Sequence, residues 1–225
     1  MPRNKSSDIS ARIQTVINEY GHGPLGKTPM AGREPVPWPL KASPEVILAM
    51  VLDAMIKSRP ISHDLSQRTI NHLIEVGYHD IDKLHASTWE ERTVVLREGG
   101  YNRYREQAAT NLGNLADFVV KEYDGDLNNL LEAAGGKRDK IEILMKEIKG
   151  IGDLTVELFF NNVQAVWPSI APFVDSRSLK TAGDVGIGSD IEAIYVALQR
   201  DPEQMSWFAN GLSTIRLEKR QQDIY

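Results

Sequence analysis

The 225-residue sequence contains no cysteine. That absence excludes disulfides, thiolate zinc sites and cysteine-held iron–sulfur clusters. Long apolar runs are missing as well: no stretch approaches the roughly 18 apolar residues a membrane span needs. Histidine is scarce, and the five present (His22, His63, His72, His79 and His85) include no HxxxH pair. Metal-ligand spacing is therefore not found, and neither a metal nor any other cofactor is expected. Positive charge is in deficit. A formal net charge of −5 argues against a broad basic face that coats nucleic acid, but leaves room for a small footprint of backbone N–H groups and a few side chains. The polar start, Met1 to Ser10, has no apolar core of a secretory signal, so the expected setting is intracellular: cytoplasm, nucleoid or nucleus.

What is present is helical pattern. Ile9, Ile13, Val16, Ile17 and Tyr20 recur at spacings of three and four, predicting a first helix over 9–20 that Gly21 ends. Residues 21–44 hold six of the eleven prolines and four glycines and read as an extended connector, with Trp38 as its anchor. Ser43–Pro44–Glu45 starts a buried helix to Ile56. Further helices are expected over 63–76, stopped by Gly77, then 80–84, 88–97, 102–123, 127–133, 137–148, 153–163, 175–182, 190–199 and 202–217. Ser87, with Glu90 three residues on, predicts a capping box for the helix that starts at Thr88. No convincing alternating strand occurs. The fold class is all-α with short connections.

The informative stretch is Ile148-Lys149-Gly150-Ile151-Gly152-Asp153-Leu154-Thr155-Val156. Gly150 and Gly152 permit backbone angles closed to other residues. Ile151 is expected to tuck between the two helices, and the second helix then starts with free N–H groups. Such a terminus is a ready phosphate site. The plain alternative is a helical hairpin with glycine in its turn.

The surrounding order narrows the choice. A long helix, the Gly100–Tyr101 turn, another long helix and the glycine hairpin are followed by Trp167-Pro168-Ser169-Ile170-Ala171-Pro172-Phe173-Val174-Asp175-Ser176-Arg177. From Val46 to Ile187 this resembles the helix-hairpin-helix-GPD superfamily of DNA glycosylases, the endonuclease III group in particular. That family has a hairpin of the form L-P-G-V-G-x-K-T-A and, about twenty residues on, an apolar stretch ending in V-D-T/S. Here Val174-Asp175-Ser176 is the second element, and Gly99-Gly100-Tyr101-Asn102-Arg103-Tyr104-Arg105 resembles the family's I-G-x-Y-x-x-K segment.

The resemblance implies a base flipped from duplex DNA into a pocket between two helical lobes. The lobes would be residues 40–168, ending in the hairpin, and residues 1–39 with 169–225, with the cleft between them. Asp175 takes the place of the family's aspartate, which stabilises positive charge on the sugar or orients water. On its own pattern Asp175 is also a helix N-cap. The lysine of the bifunctional members, which forms a Schiff base with the sugar, is replaced by Leu154. Monofunctional hydrolysis is therefore implied, and Lys149 lies on the wrong side of the turn to substitute. The family's four-cysteine cluster is absent. Asp153 stands where a phosphate should approach and would repel it.

Gly150, Ile151, Gly152 and Thr155 are the expected hairpin contacts to DNA. Lys57, Arg59 and Arg103 are candidate backbone contacts, with Arg105 beside them. Met55 occupies the family's wedge position but also suits core packing, and Tyr101 and Tyr104 suit either base stacking or a packed turn. The expected partner is double-stranded DNA with a damaged or mismatched base. Two rival expectations are a non-catalytic helix-hairpin-helix protein that binds distorted DNA, and a helical protein-interaction scaffold.

Overall fold

The computed structural model describes residues 5–26, 29–30, 34–35 and 40–224. It is an all-α protein. Helices α1 (Lys5–Thr15), α2 (Pro44–Lys57), α3 (His63–Val76), α4 (Ile81–Ala86), α5 (Trp89–Glu98) and α6 (Arg105–Tyr123) are followed by α7 (Asn128–Ala133), α8 (Arg138–Glu147) and α9 (Asp153–Val163). Then come α10 (Ser176–Asp184), α11 (Ile191–Ala197) and α12 (Pro202–Glu218). The proline-rich connector adds a two-residue antiparallel ladder, Pro29–Met30 with Glu34–Pro35. Trp38, the predicted anchor, lies outside the described residues.

The chain divides into two compact units, residues 25–159 and residues 1–24 with 160–225. In the first, α2 is buried from Ile47 through Ile56, as a helix apolar on most sides must be. It packs on α3, α3 on α5, and α6 on both α4 and α5. In the second, Ile13, Val16 and Ile17 join a cluster with Met205, Phe208, Leu212 and Ile215 of α12 and Val174, Ala182 and Val185 around α10.

Local chemistry sets the helix ends. The Ser43 hydroxyl accepts from the Val46 N–H, with Pro44 in the first turn. Gly77 closes α3 in the left-handed conformation at φ +90°, which costs glycine least. Two expectations need correction. The capping box of α5 belongs to Thr88 and Glu91, not Ser87 and Glu90: the Thr88 hydroxyl accepts from the Glu91 N–H and the Glu91 carboxylate accepts from the Thr88 N–H. Ser87 instead ends α4, its hydroxyl donating to the Leu84 carbonyl. The first helix also widens into a π-turn over Val16–Tyr20 before Gly21 N–H bonds the Ile17 carbonyl.

Candidate functional site

The glycine hairpin joins α8 to α9. Gly150 adopts φ +97°, and a Cβ there would run into the Asn111 carboxamide of α6. Gly152 differs from the expectation: it is not among the positive-φ glycines, and nothing crowds its Cα. Its carbonyl accepts from the Val156 N–H at 3.1 Å, so it is the residue from which α9 begins. The amides just after it precede the first intrahelical bond and point off the helix end. Ile151 is buried, its N–H bonded to the Ile148 carbonyl. Thr155 is 2% exposed, so its share in a phosphate contact would come from its backbone and not its hydroxyl.

The two glycines should respond differently to substitution. Gly150→Ala is expected to cost about 1–2 kcal/mol from the left-handed backbone alone, and more for displacing Asn111. Gly152→Ala is expected to cost less than about 1 kcal/mol, the scale of a helix-cap change. Urea titration of both variants checks this, and equal costs would contradict the turn geometry.

Charge at the hairpin mouth is partly cancelled. The exposed Asp153 carboxylate pairs with Lys146, which also holds Glu142 at 2.5 Å. The Lys146 ammonium is held above its ordinary range, first by the hydrogen bond to Asp153 and then by Glu142.

The other candidate DNA contacts lie in the same unit. Lys57 turns to the buried Asp53 carboxylate, Nζ to Oδ1 2.7 Å, so its charge is already engaged. Arg59 lines a recess with Met55, Tyr101, Tyr104, Asn111 and Gly150. Its inner volume is about 10 Å³, roughly one water molecule's space. Met55 is buried. Burial pushes the Tyr101 phenol up to about 12 against the opposing charge of Arg59, so Tyr101 stays neutral. Its ring lies 6.2 Å from that of Tyr104, over which Arg103 stacks at 5.2 Å. Tyr101 is thus a packed turn aromatic, while Arg103 is exposed on top of the pair.

In the second unit, Asp175 is fully buried and is the N-cap of α10. Its Oδ1 accepts from the Arg177 and Ser178 N–H groups, both at 3.1 Å. Its Oδ2 accepts from Asn161 Nδ2 at 2.7 Å, and its own N–H donates to Asn161 Oδ1 at 2.9 Å. Asn161 was not foreseen from sequence. The available signal was a cluster of amides, Asn161, Asn162 and Gln164, directly after the apolar run Leu158-Phe159-Phe160, because buried amides require partners.

No protein-family model matches the chain, and no curated protein matches it in sequence. Solved structures do match in shape. The 3-methyladenine DNA glycosylase MagIII of H. pylori, crystallised with 1,N6-ethenoadenine, aligns at a TM-score of 0.56 and 12% identity over 96% of this chain and 97% of that one. A trapped endonuclease III–DNA covalent intermediate aligns at a TM-score of 0.50 and 17% identity, over 95% and 85%. The chain shares its fold with these two structures. Leu154 is a partly exposed aliphatic residue in the first turn of α9 and offers no nucleophile.

Proposed function

We propose that the protein is a monofunctional DNA glycosylase that releases a damaged or mismatched base from duplex DNA. Asp175 carries this reading: a buried carboxylate, fixed by two backbone amides and a carboxamide, in a fold shared with two DNA glycosylases. Water would add to the sugar C1′ as the bond to the base breaks, the bonding electrons leaving with the base nitrogen and the water's proton passing to the base. The Asp175 carboxylate would stabilise the positive charge on the sugar, or orient the water. With Leu154 in place of a lysine, no Schiff base forms and the product is an abasic site. Because Asp175 is fully buried, a flipped nucleotide must open the surroundings of the carboxylate to reach it. The α9 amides and Arg103 would hold the DNA backbone.

The experiment is a panel of duplexes, each with one lesion or mismatch, treated with protein and then with alkali to reveal abasic sites. Release from at least one duplex, without strand cleavage before alkali, is the expected result.

The burial of Asp175 and the Asp153–Lys146 pair favour a second reading, a non-catalytic binder of distorted DNA. Intact duplexes with salt-sensitive binding would select it, and no duplex binding at all would leave a protein-interaction scaffold. Under either DNA-binding reading, Asp153→Asn is expected to tighten duplex binding about fivefold at low salt, the scale of one screened charge repulsion. Fluorescence anisotropy checks it; unchanged affinity would place the phosphate away from the α9 terminus.

A further inference from the structure

Residues 173–175 belong to no helix or strand, yet they are bonded as a strand would be. Gln164 Oε1 accepts from the Phe173 N–H at 3.0 Å, and its Nε2 donates to the Phe173 carbonyl at 2.9 Å. Asn161 does the equivalent for Asp175, receiving its N–H and donating to its Oδ2. The spacing explains the match. Asn161 and Gln164 are three apart on helical backbone that continues past Val163, Gln164 N–H reaching the Phe160 carbonyl, so they share a face. Phe173 and Asp175 are two apart, and both turn hydrogen-bonding groups toward that face. Two carboxamides thus form two rungs, one to the Phe173 backbone and one to the N–H and carboxylate of Asp175. Both are buried, Asn161 at 1% and Gln164 at 0% exposure, and Gln164 Nε2 also donates to the Asn161 carbonyl at 3.1 Å.

We infer that Asn161 is the positioning residue for the Asp175 carboxylate and that Gln164 supports it, an inference that rests on the glycosylase reading. A carboxylate has about four acceptor directions. Arg177 and Ser178 take two on Oδ1 and Asn161 takes one on Oδ2. One direction on Oδ2 remains for the charged sugar. A side chain that accepts and donates at once satisfies both the Asp175 N–H and Oδ2, and the Asn161 carboxamide does so with two separate atoms.

The test uses single-turnover base release by the full-length protein, on a lesion that the native protein processes, across a pH series below the melting temperature. Asn161→Asp is the revealing variant. Protonated, the new carboxyl donates its O–H to Oδ2 and accepts the Asp175 N–H, reproducing the amide. Deprotonated, it sets two carboxylates against each other. Its rate should lie within about threefold of native at the acid end. It should then fall at least about tenfold relative to native as pH rises, the scale expected of one misplaced charge.

Asn161→Ala supplies a check that tolerates loss of the acid variant to misfolding. It should slow release about thirtyfold at every pH, with affinity for a duplex carrying an uncleavable abasic-site analogue within about threefold. Added to Asp175→Asn it should cost less than about twofold, since residues acting as a unit are non-additive. A native-like profile for Asn161→Asp, or full additivity of Asn161→Ala, would overturn the inference while base release by native protein upholds the glycosylase reading. Failure of native protein to release any base would overturn both.

Discussion

Asp175→Asn is expected to lower base release at least about a hundredfold, the scale seen when a group that stabilises transition-state charge is removed. The substitution is not silent in structure. If the new amide keeps its oxygen on the Arg177 and Ser178 N–H groups, its nitrogen faces Asn161 Nδ2, donor to donor. If it turns over, the two backbone donors lose their acceptor. Either way a buried hydrogen bond is lost, at a cost of about 1–3 kcal/mol. Base release and melting must therefore be measured together, with the rate read where both proteins are folded. A variant that keeps more than a tenth of the native rate would reduce Asp175 to a helix cap. A folded variant that binds duplex and releases nothing would establish the carboxylate in the chemistry.

The second large effect concerns stability. Phe208 is fully buried in α12, in the cluster that holds Ile13, Val16 and Ile17 to Leu212 and Ile215. Phe208→Ala removes the whole aromatic ring from a packed site and leaves a cavity, which costs about 3–5 kcal/mol. Leu217, 49% exposed on the same helix, is the control: Leu217→Ala should change stability by less than about 0.5 kcal/mol. Urea unfolding of the two variants decides the matter. Comparable losses would mean that α12 does not bury the face described here. With no cysteine in the chain, this apolar packing has no disulfide to assist it.

The fold was legible in the sequence because helices of this length repeat their apolar residues at a period that strands do not share. Helix α3 runs over the residues its pattern predicts, His63–Val76. The start of α5 was misplaced by one residue because Ser87 and Thr88 both carry hydroxyls and Glu90 and Glu91 both carry carboxylates. Only tertiary geometry chooses between two such pairs. Gly152 was misread for a related reason: a glycine is free to take a left-handed backbone but is not obliged to.

At the site, the cap role of Asp175 follows from its local sequence, since Asp before a helix start has one common use. The charge state of the hairpin was half visible. Asp153 stands out next to the glycines, but its partner Lys146 lies on the preceding helix, and their pairing depends on how the turn folds back. Lys57 looked free because Asp53 is buried within an apolar helix and drew no attention as an i,i+4 partner. Asn161 and Gln164 were illegible as partners because their targets lie fourteen and nine residues away, on a segment without regular structure.

The carboxamide ladder also has a kinetic side. The N–H groups of Phe173 and Asp175 are shielded by Gln164, in the turn just after α9, and by Asn161 of α9, and those side chains share a face only while the helical backbone there is wound. Solvent hydrogen then reaches these two amides only when the helix itself opens. A stretch without regular structure thereby acquires the exchange protection of a buried helix and opens in the same cooperative unit.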